Sequence, residues 1–103
     1  MLIWTELAKK DVMKFINTAK LGTENTIKKY FFKLSTYIEY LDYMPYLDKQ
    51  LNLFSQDLNI RQIIFRSHKV IYQISNSNIY ILTVIHSKID TKTIISKIIH
   101  FLN

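Results

Sequence analysis

Six side chains that carry or can accept a positive charge are clustered between positions 61 and 88. Histidine titrates near neutral pH and can act as a general acid or base, whereas arginine and lysine bind anions. His86 is therefore either a general base or a contact to a target, or simply a strand-end histidine whose ring bonds a backbone carbonyl. The six candidate target-binding residues are Arg61, Arg66, His68, Lys69, His86 and Lys88.

Arginine is rare in this chain, occurring only at Arg61 and Arg66 among 14 basic residues. Its planar guanidinium pairs with phosphate or carboxylate better than lysine does, so these two residues are functional candidates. The alternative is an ion pair with Asp57 or Asp90. The region from 59 to 103 holds six basic residues and one acid, which gives it +5 of the total charge of +6. Such a patch favours a polyanion or an acidic protein, or only keeps the protein soluble.

Composition argues against several classes of protein. There is no cysteine, which excludes disulfides and thiolate metal sites. The three histidines have no acidic cluster nearby, so we predict no metal and no cofactor. Charged residues begin early and no run of about 18 apolar residues occurs, so we expect a cytoplasmic protein without a membrane partner.

The candidate residues belong to a stretch, 59–90, that predicts three β-strands in an antiparallel meander. Runs rich in Ile, Val, Tyr and Phe are separated by two polar breaks, 66–68 and 75–78. This places His68 in a turn, His86 at the end of the last strand and all six candidates around one end of the sheet. In the last run, Ile79, Ile81 and Thr83 should share one face. Tyr72 is buried by the same alternation, and both faces are largely apolar, so the rest of the chain must cover the sheet.

The sequence pattern of the first half of the chain predicts the elements that cover the sheet. Residues 1–4 suit an added strand, and Thr5 can cap an amphipathic helix that ends near Gly22. Thr23 can cap a second helix that stops before Pro45, and the short link makes the two helices antiparallel. The apolar stripe of the first helix is Leu7, Ala8, Val12, Phe15, Ile16 and Ala19, with Asp11 on the polar face, and that of the second is Ile27, Tyr30, Phe31, Leu34, Ile38 and Leu41.

Three parts of the sequence allow more than one interpretation. The aromatics Phe32, Tyr37, Tyr40 and Tyr43 lie outside the stripe, and we expect them at the core rim rather than at a partner's landing site. Residues 46–58 suit either a short helix or a loop with its apolar residues tucked in. Residues 91–103, capped by Asp90 or Thr91, predict a C-terminal helix, although many β-branched residues also allow a strand-like tail.

The predicted architecture is a single domain, 1–103, of the α+β class: a short N-terminal strand, a helical hairpin, a three-stranded meander and a possible C-terminal helix. In this order the chain resembles the RelE/ParE superfamily, the toxins of bacterial type II toxin-antitoxin systems, and is closer to the ParE branch. The residues that carry the resemblance are Ile3-Trp4-Thr5, Ala8, Val12, Tyr37-Ile38, Met44-Pro45, Ile60-Arg61-Gln62-Ile63, 69–74 and 85–90.

The resemblance implies a growth-inhibiting, plasmid-stabilising toxin that is neutralised by a cognate antitoxin. ParE-like members poison DNA gyrase by binding, and the helical hairpin and the Met44-Pro45 ending favour this function. RelE-like members cut messenger RNA on the ribosome without a metal, and a nuclease here would use His86, Lys88, Arg61 and Lys69. Lys69 stands where those enzymes tend to carry arginine, and no tyrosine lies near Ile94, which disfavours cleavage. A third possibility is an inactive member that only binds its antitoxin.

Overall fold

A computed structural model of the chain describes residues 1–17, 24–46, 51, 54 and 58–100, apart from the side chains of 24 and 25. The elements are β1 (Leu2–Trp4), α1 (Glu6–Asn17), α2 (Glu24–Glu39), β2 (Ile60–Phe65), β3 (His68–Ser75), β4 (Asn78–His86) and α3 (Ile95–Ile99). Short 3-10 turns follow α2 and precede α3, at Tyr40–Asp42 and Thr91–Ile94. This order confirms the predicted α+β class, with a strand, two helices and a meander.

The four strands form one sheet in the order β1-β4-β3-β2. The last three strands are antiparallel, and β1 joins the other side of β4 in parallel, from Leu2 opposite Ile79 to Trp4 opposite Ile81. The β3–β4 hairpin turns through Asn76 and Ser77, whose φ angles of 52° and 67° are those of a type I′ turn. The predicted meander and the added N-terminal strand are therefore both confirmed.

A bulge in β4 changes which side chains share a face. Tyr72 lies opposite Ile81 whereas Ile71 lies opposite Thr83, so Leu82 is an extra residue with no partner of its own in the register. Beyond the bulge, Val84 joins Ile81 on the face that the helices cover. The prediction of unbroken alternation, with Thr83 sharing the face of Ile81, is therefore wrong after Ile81.

Helices α1 and α2 cover one face of the sheet, and the core between them and the strands is apolar apart from the hydroxyl of Tyr72. Thr5 caps α1 as predicted, because its hydroxyl accepts the N–H of Ala8 at 3.3 Å and donates to the carbonyl of Ile81 at 2.7 Å. The buried core residues on this face are Ala8, Phe31, Leu34, Ile38, Leu41, Ile63, Val70, Tyr72, Ile79, Ile81 and Val84. Both predicted helical stripes face this core, while Ala19, Gly22 and Thr23 lie outside the described residues.

Asp11 does not lie on the exposed polar face of α1 as the sequence pattern suggested. Its carboxylate accepts the hydroxyl of Thr83 at 2.5 Å and the backbone N–H of Val84 at 3.0 Å. Strand β1 ends opposite Ile81, so Asp11 occupies the edge of β4 beyond that point. A helix side chain thus replaces the missing strand partner and attaches α1 to the sheet.

The opposite face is covered by two other segments. Ile60, Ile71, Leu82, Ile85 and Ile98 form a second buried cluster, and Leu51, Phe54, Leu58, Tyr80 and Ile94 pack against it. Asp90 caps the C-terminal segment, since its carboxylate accepts the N–H of Lys92 at 3.0 Å. The predicted C-terminal helix is present but short, and its Ile99 is 55% exposed.

The aromatic residues outside the α2 stripe do not form the core rim that we expected. Phe32, Tyr40 and Tyr43 are 74%, 57% and 83% exposed. Tyr37 alone is half-buried, with its ring 5.2 Å from that of Phe65. Phe32 and Tyr40 lie on the solvent side of α2 and its following turn, away from the sheet. Within the described part of the chain, no helix has the length and hydrophobicity needed to cross a membrane.

Candidate functional site

Strand register brings four of the six predicted residues to one end of the sheet. Phe65 pairs with His68, and His68 pairs with His86, so the β2–β3 turn and the end of β4 are adjacent. The N–H of Ser87 donates to the carbonyl of Ser67 at 2.7 Å, which holds the two turns together. Arg66 and Lys88 are exposed in these turns, and the two histidine rings lie 5.8 Å apart.

His68 is the first residue of β3 and is buried, so the prediction that it lies in a turn is wrong. Its ring packs against Phe15 and Phe31 at centroid distances of 4.8 and 5.2 Å. Its Nδ1 is hydrogen-bonded to the hydroxyl of Tyr30 at 2.7 Å, and because that hydroxyl donates its single proton to the carbonyl of Phe65 at 3.2 Å, the Nδ1–H is the donor to Tyr30. Burial lowers the pKa of His68 below its ordinary value, and the nearby His86 lowers it further. His68 is therefore a neutral, hydrogen-bonded histidine at pH 7.

His86 is the more accessible of the two histidines. It is half-buried, and its Nδ1 accepts the backbone N–H of Lys88 at 3.2 Å. The ring is therefore hydrogen-bonded to a backbone N–H, whereas the sequence suggested a backbone carbonyl as its partner. An accepting Nδ1 leaves the Nε2 nitrogen to carry the proton and to face a target.

Arg61 does not lie at this end of the sheet, so the predicted clustering of all six residues is wrong. Its register partner is Tyr72, four positions along β2 from the Phe65 pair, or roughly 13 Å. Its guanidinium lies 4.6 Å from the centre of the Tyr46 ring, and its Nε donates to Asn59 at 3.0 Å. Tyr46 follows the turn after α2, so Arg61 lies on a different part of the surface from the two histidines.

Lys69 is close to the histidines in sequence but belongs to the other face of the sheet. Its register partners are Ile64 and Ile85, and Ile85 is in the second buried cluster. Because neighbouring residues of a strand point to opposite faces, the Lys69 and His68 side chains diverge. Of the four residues proposed for a nuclease, only His86 and Lys88 therefore lie together.

A groove opens beside the two histidines. We call it the histidine groove, and it has a volume of about 440 Å³. Its walls come from α1, α2, the β2–β3 turn and the adjoining ends of β3 and β4, and its lining is mainly apolar. The lining residues are Phe15, Thr26, Ile27, Tyr30, Phe31, Ser67, His68 and His86.

A second, smaller cleft shares Thr26 and Tyr30 with the histidine groove. We call it the lysine cleft, and it has a volume of about 240 Å³. Its other lining residues are Lys29, Lys33 and Arg66, so three cations surround it and none of its lining residues is acidic. Sequence reasoning missed Lys29 and Lys33, although their four-residue spacing on α2 places them on one helix face.

Neither site offers an evident metal centre. Among the residues that the structure describes, no group of three or more His, Cys, Asp or Glu side chains could hold a metal ion. The arrangement instead combines one accessible imidazole, an apolar groove and a cationic cleft. These features suit the binding of a macromolecular partner that carries negative charge.

A known protein family matches the chain over most of its length. The family model described as the ParE toxin of type II toxin-antitoxin system, parDE, matches residues 2–91. The chain therefore belongs to the ParE toxin family, whose members pair with a cognate antitoxin.

One solved structure illustrates the likeness. The isolated RelE toxin of E. coli, in its P21 crystal form, is similar over 98% of this chain and 96% of that chain. The TM-score is 0.47 and the sequence identity is 13%. No curated protein matches the chain.

Proposed function

We propose that this protein inhibits bacterial growth by poisoning DNA gyrase, and that a cognate antitoxin neutralises it. The observation that carries this proposal is membership of the ParE toxin family, with a match that extends from β1 to the end of the meander. Poisoning by binding needs a surface and no catalytic set. Arg66, His86 and Lys88 lie together at one end of the sheet and are the target-contacting residues in this proposal.

The dispersal of the nuclease candidates supports binding over cleavage. Arg61 lies elsewhere on the surface and Lys69 belongs to the opposite face of the sheet. His68 is buried and bonded to Tyr30, so it has little access to a substrate. Metal-free RNA cleavage requires a base, an acid and a group that stabilises the phosphate, all positioned around one bond.

Messenger RNA cleavage on the ribosome is the second candidate, because one observation favours it. The His68 and His86 rings lie 5.8 Å apart, and the histidine groove that they line shares Thr26 and Tyr30 with the lysine cleft. In such an enzyme, Lys88 would neutralise the phosphate, and His86 would act as the general base only in its other tautomer, after the bond from the Lys88 N–H to Nδ1 has broken and Nε2 is free to accept a proton. RNA cleavage needs a catalytic group, whereas gyrase poisoning needs only contacts, so the two functions can be separated. His86→Ala would abolish cleavage outright.

Antitoxin binding would use the outer edge of β2 around Ile64, since at the start of the strand the N–H of Leu51 already donates to the carbonyl of Ile60 at 2.8 Å. Strand β2 is the last strand in the sheet order, and its Ile64 is 52% exposed. An extended segment can add to such an edge through backbone hydrogen bonds. Co-expression of the protein encoded beside this chain should restore growth if that neighbour is the antitoxin.

The test of the proposed function is pulse-labelling of DNA and protein synthesis in the first minutes after the chain is induced alone. Gyrase poisoning predicts that thymidine incorporation falls before methionine incorporation. The reverse order would contradict it and support ribosome-dependent cleavage. Induction of the Lys97→Gln variant is the matched control, because Lys97 is exposed on α3 and lies outside the target-contacting set, so its loss should leave the effect unchanged.

A further inference from the structure

We propose that the solvent face of α2 around the lysine cleft binds a single strand of DNA. This surface, which we call the α2 patch, consists of Lys29, Lys33, Arg66 and Phe32. The choice of DNA rather than RNA rests on the proposed function, in which the toxin acts on a gyrase–DNA complex. The binding surface itself is argued from charge and exposure alone.

The three cations of the α2 patch share one small cleft. Lys29 and Lys33 are four residues apart on α2, so their side chains are neighbours on the helix surface. Arg66, in the β2–β3 turn, completes the lining of the same cleft. Like charges at this helical spacing repel one another, so an anion between them would relieve that repulsion. Among the described residues, no acidic side chain forms an ion pair with any of the three.

An aromatic ring is exposed beside Lys29, outside the lining of the cleft itself. Phe32 is 74% exposed, and it lies three residues after Lys29, which places the two side by side on the helix. An exposed phenyl ring next to cations is the arrangement with which proteins bind unpaired bases, the ring stacking on the base while lysine and arginine contact phosphates. Phosphate contacts alone would require no such ring.

Phe32 has no structural role that the described contacts reveal. The buried side of α2 is made by Phe31, Leu34 and Ile38, and Phe32 is absent from both core clusters. Thr36 donates its hydroxyl to the carbonyl of Phe32 at 3.0 Å, which involves the backbone and leaves the ring untouched. A change at Phe32 can therefore alter binding without altering the fold.

The experiment measures fluorescence anisotropy of a labelled thymidine oligonucleotide, about twelve nucleotides long, against the purified chain. Three phosphate contacts predict that affinity falls roughly twentyfold between 50 and 200 mM salt, from a slope of about −0.7 per contact for single strands. Phe32→Ala should weaken binding at least about fivefold, as loss of one stacked base does. The Lys29→Gln/Lys33→Gln/Arg66→Gln variant should lose most of the salt dependence.

The matched control removes three charges elsewhere. Lys10, Lys92 and Lys97 are exposed and lie on other elements, so Lys10→Gln/Lys92→Gln/Lys97→Gln has the same net charge as the patch variant. The proposal predicts that the control binds the oligonucleotide within about twofold of the unaltered chain. Equal weakening of both triple variants would overturn it, because binding would then follow net charge and not this surface.

Two further probes identify the partner class. A polyglutamate peptide of similar length tests an acidic protein, and a uridine oligonucleotide tests RNA. Tight binding of the peptide that depends on the three cations but not on Phe32 would overturn the proposal in favour of an acidic protein partner. Binding of RNA alone through the patch would overturn the choice of DNA. Since gyrase is absent from these measurements, their failure is distinguishable from failure of the proposed function.

Discussion

The Nδ1 atom of His68 and the hydroxyl oxygen of Tyr30 are 2.7 Å apart, in a hydrogen bond that joins the first residue of β3 to the middle of α2. The bond buries a titratable ring beneath three aromatic side chains, those of Phe15, Tyr30 and Phe31. It also sets the wall that separates the histidine groove from the lysine cleft, because Tyr30 lines both. A core contact therefore shapes the surface at which we place the function.

Acidification should destabilise the fold through His68. Burial lowers the folded-state pKa of His68, so below about pH 6.5 the unfolded chain binds more protons at this residue than the folded chain does. The unfolding free energy is therefore expected to fall as the pH drops from 7.5 to 5.5. Urea denaturation at several pH values measures the slope, and His68→Gln should reduce it. Identical pH dependence in both proteins would contradict this account.

Asp11 is expected to stabilise the protein although it lies on a helix surface. Asp11→Ala removes the acceptor for the Thr83 hydroxyl and the Val84 N–H, which should lower the unfolding free energy by about 1–3 kcal/mol. Glu6→Ala is the matched control, because Glu6 is an exposed acid on the same helix whose ion pair with Lys9 spans 3.4 Å in solvent. If the two variants lose equal stability by thermal denaturation, Asp11 does not cap the edge of β4.

Tyr72 connects the sheet to the end of the helical hairpin. Its ring is fully buried, as its alternation in β3 predicts, and its hydroxyl donates to the carbonyl of Pro45 at 2.9 Å. Tyr72→Phe should cost about 1 kcal/mol for the lost hydrogen bond, and Tyr72→Ala about 3 kcal/mol or more for the cavity. Tyr43→Ala, at an exposed tyrosine, should cost far less. Urea denaturation that ranks the three variants otherwise would show that Tyr72 is not a core residue.

Arg66 occupies a backbone position that glycine would fill more easily. Its φ of 53° lies in the left-handed region, which costs a non-glycine residue about 1 kcal/mol. Arg66→Gly should therefore leave thermal stability unchanged or raise it slightly, while it weakens binding at the α2 patch and growth inhibition. A marked loss of stability would mean that Arg66 is needed for folding, and unchanged growth inhibition would remove it from the target-contacting set.

The sequence predicted the strands and helices because their apolar periods are clear. The bulge at Leu82 was not predictable, since both faces of β4 are apolar and no polar residue marks the change of alternation. The contact between Asp11 and Thr83 depends on that bulge and on where β1 ends, so a helical pattern alone placed Asp11 in solvent. The local sequence pattern therefore predicts the strands and helices but not the contact between α1 and the edge of β4.

The candidate site was predicted only in part, because contacts between residues distant in sequence decide which side chains come together. His68 follows two polar residues and looked like part of a turn, whereas the aromatic rings that bury it come from helices distant in sequence. Lys29 and Lys33 become part of the site only because α2 docks with that face towards Arg66. Arg61 was grouped with the others by sequence proximity, although strand register separates them.

The most direct measurement is a gyrase cleavage assay with purified chain, gyrase, ATP and supercoiled plasmid, stopped with detergent and protease. A gyrase poison holds the enzyme in its cleaved-DNA state, so the account predicts that linear plasmid accumulates as the concentration of the chain rises, and that added antitoxin abolishes it. A chain that arrests growth but yields no linear plasmid and leaves supercoiling unchanged would contradict the central claim.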